Sequence, residues 1–160
     1  MASRKKHATV GHGDVFAETL YKEKSILIHL FPKKVREKWE RKYKAAQYAL
    51  DEQIKMDTSQ YVPWKSGNLD QSVDKVPSGN GVVVWSTPYA QFQNEGKVMV
   101  DTVTGSAYSP LGGKKKVTEA DLQHDKTAHP LAGPHWYDRS YKANKDKWAK
   151  AAKEAFKDAK

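Results

Sequence analysis

Residues 33–57 read KKVREKWERKYKAAQYALDEQIKMD, a run without glycine or proline. Val35, Trp39, Tyr43, Ala46, Leu50 and Ile54 recur at spacings of four, four, three, four and four. That is one stripe on a period of about 3.6 residues, the mark of an amphipathic helix. Pro32 stands just before the run, where its fixed φ suits a helix start. The stripe, Val35, Trp39, Tyr43, Leu50 and Ile54 above all, reads as core. The opposite face carries Lys34, Arg36, Lys38, Arg41, Lys42 and Lys44, so it meets water or something acidic.

Upstream of this helix, Ser25–Phe31 (SILIHLF) is a short apolar, β-rich run ended by Pro32, which predicts a strand. Residues 1–24 are polar and weakly patterned. They read as a flexible N-terminal arm able to order against a neighbour. Downstream, Tyr61–Leu69 is turn-rich, punctuated by Pro63 and Gly67. Residues 69–73 fit either a short helix or a strand. The turn signal Pro77-Ser-Gly-Asn-Gly81 followed by the apolar run Val82–Ser86 suggests a hairpin. Tyr89 and Phe92 share a face of a helical turn that Gly96 would stop. Lys97–Val103 reads as a strand, and residues 105–133, rich in Gly, Pro, Lys and His, as a long loop or β-arm. Such length without structure of its own points to function or mobility. Pro134 introduces a last helix, about 136–158, with Tyr137, Tyr141, Trp148, Ala152, Ala155 and Phe156 near one stripe.

At 160 residues the chain suits one domain, 25–160, behind the arm. It has no cysteine, which excludes disulfides, thiol catalysis and cysteine-based zinc sites. No apolar run approaches the roughly 20 residues of a membrane span, so no membrane partner is expected. The opening residues lack the apolar stretch of a secretory signal. Net charge is +9, with residues 59–137 contributing nothing and residues 138–160 contributing +4. The excess lies on the arm and the two helices.

Chemistry-bearing constellations are weak. His124, His129 and His135 share a loop with Asp121 and Asp125, but the spacing fits no standard zinc pattern and reads as solvated histidines. No hydrolase or phosphate-loop signature appears, and Gly112-Gly-Lys-Lys-Lys116 lacks the strand–loop–helix setting a phosphate needs. No catalytic, metal or cofactor site is expected. Five Trp and eight Tyr suit protein interfaces. A basic nucleic-acid-binding module is the alternative reading, because cations surround Trp39, Tyr43 and Trp148. Against it, these rings follow the core period, and a buried ring cannot stack on a base.

Three passages carry a resemblance. Tyr61-Val-Pro-Trp-Lys-Ser-Gly-Asn-Leu-Asp-Gln-Ser72 resembles a P-x-x-T/S-G-x-L-x-x-S element. Ser86-Thr-Pro-Tyr-Ala-Gln-Phe-Gln-Asn-Glu-Gly96 resembles a Y-A-x-x-x-E/x-G element, and Ala132-Gly-Pro-His-Trp-Tyr-Asp-Arg-Ser-Tyr-Lys-Ala143 a closing helix entry. Their order resembles tailed-bacteriophage minor capsid proteins of the head–tail connection (neck, or tail-completion) group. The resemblance implies an α+β fold, with the long helix and the C-terminal helix packed on a curved antiparallel sheet. It implies an extended N-terminal arm and an insertion at about 97–133. It further implies a virion protein, made in the bacterial host cytoplasm and placed at the head–tail junction. There it would form a cyclic ring, a hexamer rather than a dodecamer, between connector or head-completion and tail-terminator proteins, with incidental contact to packaged DNA. Pro63, Gly67, Leu69, Tyr89, Gly96, Pro134 and Trp136 then become residues of architecture, shaping turns and packing.

Overall fold

A computed structural model describes residues 31–110 and 112–160, together with the backbone of residues 8–11. The long helix, α1, spans Lys33–Ser59. Pro32 opens it, its carbonyl accepting from the Val35 and Arg36 amides at 2.9 and 3.2 Å. A turn closing on Thr58 and Ser59 carries the chain into Val62 and Pro63. The last helix, α4, spans Trp136–Asp158 and runs antiparallel along α1. Trp39 lies against Phe156 at one end of the pair, and Thr58 against Ser140 at the other.

Between the helices the chain forms α2 (Asn68–Gln71), a 3-10 turn (Ser72–Lys75), β2 (Val82–Trp85), α3 (Ala90–Glu95), β3 (Lys97–Asp101) and β4 (Lys115–Asp121). The fold is α+β, with both long helices packed against a small antiparallel sheet. That sheet pairs β2 with β1 (Ala8–Gly11) in the register Ala8↔Trp85 to Gly11↔Val82. β1 falls within the segment read as an arm; the remainder of residues 1–30, including all but the last residue of the strand expected at 25–31, lies outside the described residues.

Three expectations are corrected here: the hairpin, the facing of α4 and the place of Trp39. The turn at 77–81 does not close a hairpin, because the residues before it coil into helical turns. Its amides turn instead to α1: the buried Asp51 carboxylate accepts from Gly79 N at 2.7 Å and Gly81 N at 3.1 Å. β2 is thereby left free to pair with β1. The face of α4 is also rotated from the expected stripe. Trp136, Ser140, Trp148 and Ala152 are buried, whereas Tyr141 is 43% exposed. Tyr137 and Tyr141 stack on the flank, against each other and Trp148.

The core gathers Ile54, Tyr61, Val62, Leu69, Val73, Val83, Trp85, Ala90, Trp136 and Trp148. Trp85 and Trp136 meet edge to face at 5.7 Å, both fully buried. This core lies at the C-terminal end of α1. Leu50 packs on its margin, while Val35 and Tyr43, further back, are half-buried. Trp39, expected in the core, is 36% exposed. Among the described residues α4 ends at Asp158, and Phe156 is the ring of α4 that packs on Trp39 and Tyr43.

Candidate interaction surface

Passages 61–72, 86–96 and 132–143 are far apart in sequence and meet at one junction around Trp136. Gly133 N donates to the Tyr61 carbonyl at 3.2 Å, and His135 N to the Asn94 carbonyl at 2.8 Å. The buried Ser72 hydroxyl accepts from Ser86 N at 3.0 Å, and Ser86 Oγ donates back to the Ser72 carbonyl. Arg139 lies over the Tyr61 ring. Gly67, at φ +80°, turns the chain into α2 and places the buried Leu69. Gly96, at φ +69°, ends α3 while packed so closely on Pro134 that an added Cβ would sit 2.7 Å from the Pro134 Cβ. Only glycine meets both demands. Pro134 and His135, the latter left-handed at φ 49°, then start α4.

The junction fixes the base of an arm. β3 leaves directly from Gly96, and the returning strand is tied back where Leu122 N donates to the Gly96 carbonyl at 2.7 Å. β3 and β4 pair antiparallel from Lys97↔Asp121 to Asp101↔Lys115, with a register shift between Lys97 and Met99. Lys97 Nζ reaches Asp121 Oδ1 at 2.7 Å. Asp121 holds the lysine's pKa up, and the lysine holds the carboxylate's down. The pair is solvent-exposed and so aligns the strands more than it stabilises them.

At the arm's far end Asp101 organises the chain reversal. Its Oδ1 accepts from Val103 N, Thr104 N and Thr104 Oγ1, and its Oδ2 from Ser109 Oγ at 2.6 Å. The Ser109 hydroxyl, then the Thr104 and Val103 amides, lower its pKa from the ordinary 3.8 to about 2. A depressed carboxylate pKa stabilises the ordered state above the unfolded value, and that contribution fades as pH falls through the folded value. The Val103 and Thr104 amides should therefore stay protected from exchange down to about pH 3 and lose protection towards pH 2. Nuclear magnetic resonance exchange across that range tests this; amides already free at pH 4 would contradict it.

The arm's exposed side chains are large. Val103 is 90% exposed, Tyr108 76% and Val117 50%, and Lys114, Lys115 and Lys116 stand beside them. Among the described residues, β3 and β4 pair only with each other, so each keeps an open outer edge. Open edges of this kind are templates for another chain. Below the arm's base lies a cleft of about 280 Å³, lined in part by Pro63, Trp64, Leu69, Tyr89, Gln93 and His124. Tyr89 stands 42% exposed at its edge.

The histidines do not converge. His124 Nε2 sits 3.2 Å from the Gln93 carbonyl, His129 Nδ1 2.8 Å from the Val62 carbonyl, and His135 begins α4. Burial pushes the His124 pKa down. The His124 and His129 rings fasten the segment after β4 to the junction. Among the described residues no cluster of three or more His, Asp or Glu could hold a metal ion. No helix there is long and apolar enough to cross a membrane.

Sequence reasoning missed the buried acids of α1. Asp51 is 0% and Asp57 7% exposed. Asp57 accepts from Gln53 Nε2, Lys147 Nζ and Trp148 Nε1, at 3.0, 2.6 and 2.9 Å. The signal is in the sequence, since Asp51 and Asp57 adjoin Leu50 and Ile54 on the helical wheel.

Residues 26–156 match the model of a family described as minor capsid protein. No curated protein and no solved structure matches the chain.

Proposed function

The chain belongs to the minor capsid protein family and is a structural protein of the phage virion; from that premise we propose that it forms a ring at the head–tail junction. In this reading it performs no chemical step. It sits between connector or head-completion proteins and tail-terminator proteins, as a hexamer rather than a dodecamer. The observation that carries the proposal is the β3–β4 arm. A rigid junction aims it, its outer edges are open, and apolar side chains cover its end. A ring closes through two different patches on each subunit. The arm supplies one patch and the body of the neighbouring copy the other.

Size-exclusion chromatography with light scattering tests this on the purified chain, alone and with the neighbouring connector and tail proteins. The expected mass is that of six copies, formed by the chain itself or on its connector. Replacing residues 102–114 with a two-residue turn should return a folded monomer with an unchanged melting curve. A chain that stays monomeric at every concentration and binds neither neighbour would contradict the proposal.

A further inference from the structure

A second surface lies at the opposite end of the helix pair. Trp39 and Tyr43 are 6.0 Å apart, and Phe156 of α4 packs tilted against both at 5.3 Å. Two of these rings, Trp39 and Phe156, line a groove of about 480 Å³ together with Lys34, Val35, Lys38 and Lys42. No carboxylate is in that lining. Lys42 is committed to α4: its Nζ donates to the Phe156 and Lys157 carbonyls at 3.0 and 3.2 Å and lies over the Phe156 ring. Lys34 and Lys38 have no ion-pair partner among the described residues. They sit one helical turn apart, about 6 Å along the axis. Around them, residues 33–44 hold seven Lys and Arg against two Glu.

We propose that this groove binds a single strand of nucleic acid, one base stacking on Trp39 while Lys34 and Lys38 meet successive phosphates. An exposed ring set among cations is the arrangement that single-strand binders use. The objection drawn from the sequence, that the ring is buried, does not apply to an indole more than one third open. The groove also selects among occupants. Its lining pairs the partly open Trp39 ring with lysines and no carboxylate, which suits a base joined to phosphates. A duplex hides its base faces within the stack. The proposal is independent of the ring, because a monomer presents the same groove.

The test is fluorescence anisotropy of a labelled 20-nucleotide single strand and of its duplex, at 50 and 150 mM salt, against the full chain. The single strand should bind more tightly than the duplex, with affinity falling steeply with salt. Trp39→Ala should weaken single-strand binding roughly tenfold, whereas Trp39→Phe should retain most of it. Lys34→Glu with Lys38→Glu should weaken it further, and Lys114→Glu with Lys116→Glu, on the arm, should leave it nearly unchanged. Thermal melts of each variant confirm folding. Equal affinity for duplex, or a Trp39→Ala variant that is folded and binds as well as the parent, would overturn the proposal and leave only diffuse charge. Trp39-dependent binding of a glutamate-rich peptide carrying leucine, with none of the single strand, would overturn it in favour of an acidic protein partner.

Discussion

Trp136→Ala should lower stability by about 3–5 kcal/mol, the usual cost of deleting a large buried ring. Trp136 is fully buried, meets Trp85 edge to face, and stands where the three distant passages join. The cavity would open beneath Pro134 and Gly96, and with it the support for the arm. The melting temperature should drop by roughly 10 °C or more for a domain of this size. Trp136→Phe should cost much less, because the indole N–H has no hydrogen-bond partner among the described residues. Trp39→Ala should also cost much less, although it removes an equal ring, because Trp39 is partly open. Thermal or urea unfolding of the three variants checks this order. Equal losses for Trp39→Ala and Trp136→Ala would mean that the core lies elsewhere.

Asp57→Ala comes second, at about 2–4 kcal/mol. Two contributions differ in kind. The Asp57–Lys147 pair is short, but the lysine side chain is 58% exposed, so solvent screens it and its share is under about 1 kcal/mol. The Trp148 indole N–H is buried, and losing its acceptor strands a donor at about 1–3 kcal/mol. Lys147→Ala should therefore be mild and Asp57→Asn intermediate, since an amide oxygen keeps one acceptor. The same seam holds Thr58 Oγ1 to Ser140 Oγ at 3.0 Å, both fully buried. These polar contacts fix the register of α4 along α1, which apolar packing alone leaves loose. Urea unfolding of the three variants gives the ranking; a Lys147→Ala loss equal to that of Asp57→Ala would contradict it.

The long helices were legible because period and proline act locally. Pro32 and Pro134 mark starts close to the observed Lys33 and Trp136, and nothing between Lys33 and Ser59 breaks the run. Which face of each helix turns inward was less legible. Trp39 and Tyr141 are the same ring types as Trp136 and Tyr61, and among the described residues the end of α4 and its rotation decide which are covered. The pairing of β2 was hidden for a different reason. A glycine-rich turn before a strand signals a hairpin unless a distant carboxylate, here Asp51, takes the turn's amides. The arm was legible as an anomaly of length. Its β-pairing was not, because Lys115–Asp121 lacks strict alternation and its order comes from cross-strand bonds and the Asp101 turn. At the junction, Gly67, Gly96, Pro134 and Trp136 were visible as positions, whereas the contact between Gly96 and Pro134 belongs to tertiary structure alone.

The central claim is that the chain works by holding copies of itself and its neighbours in place within the particle. Cryo-electron microscopy of the intact virion tests it most directly. The account predicts density for this fold in a closed ring at the vertex joining head and tail, each β3–β4 arm lying against the adjacent copy. Particles that lack the chain, or that carry it as isolated copies whose arms touch nothing, would contradict it.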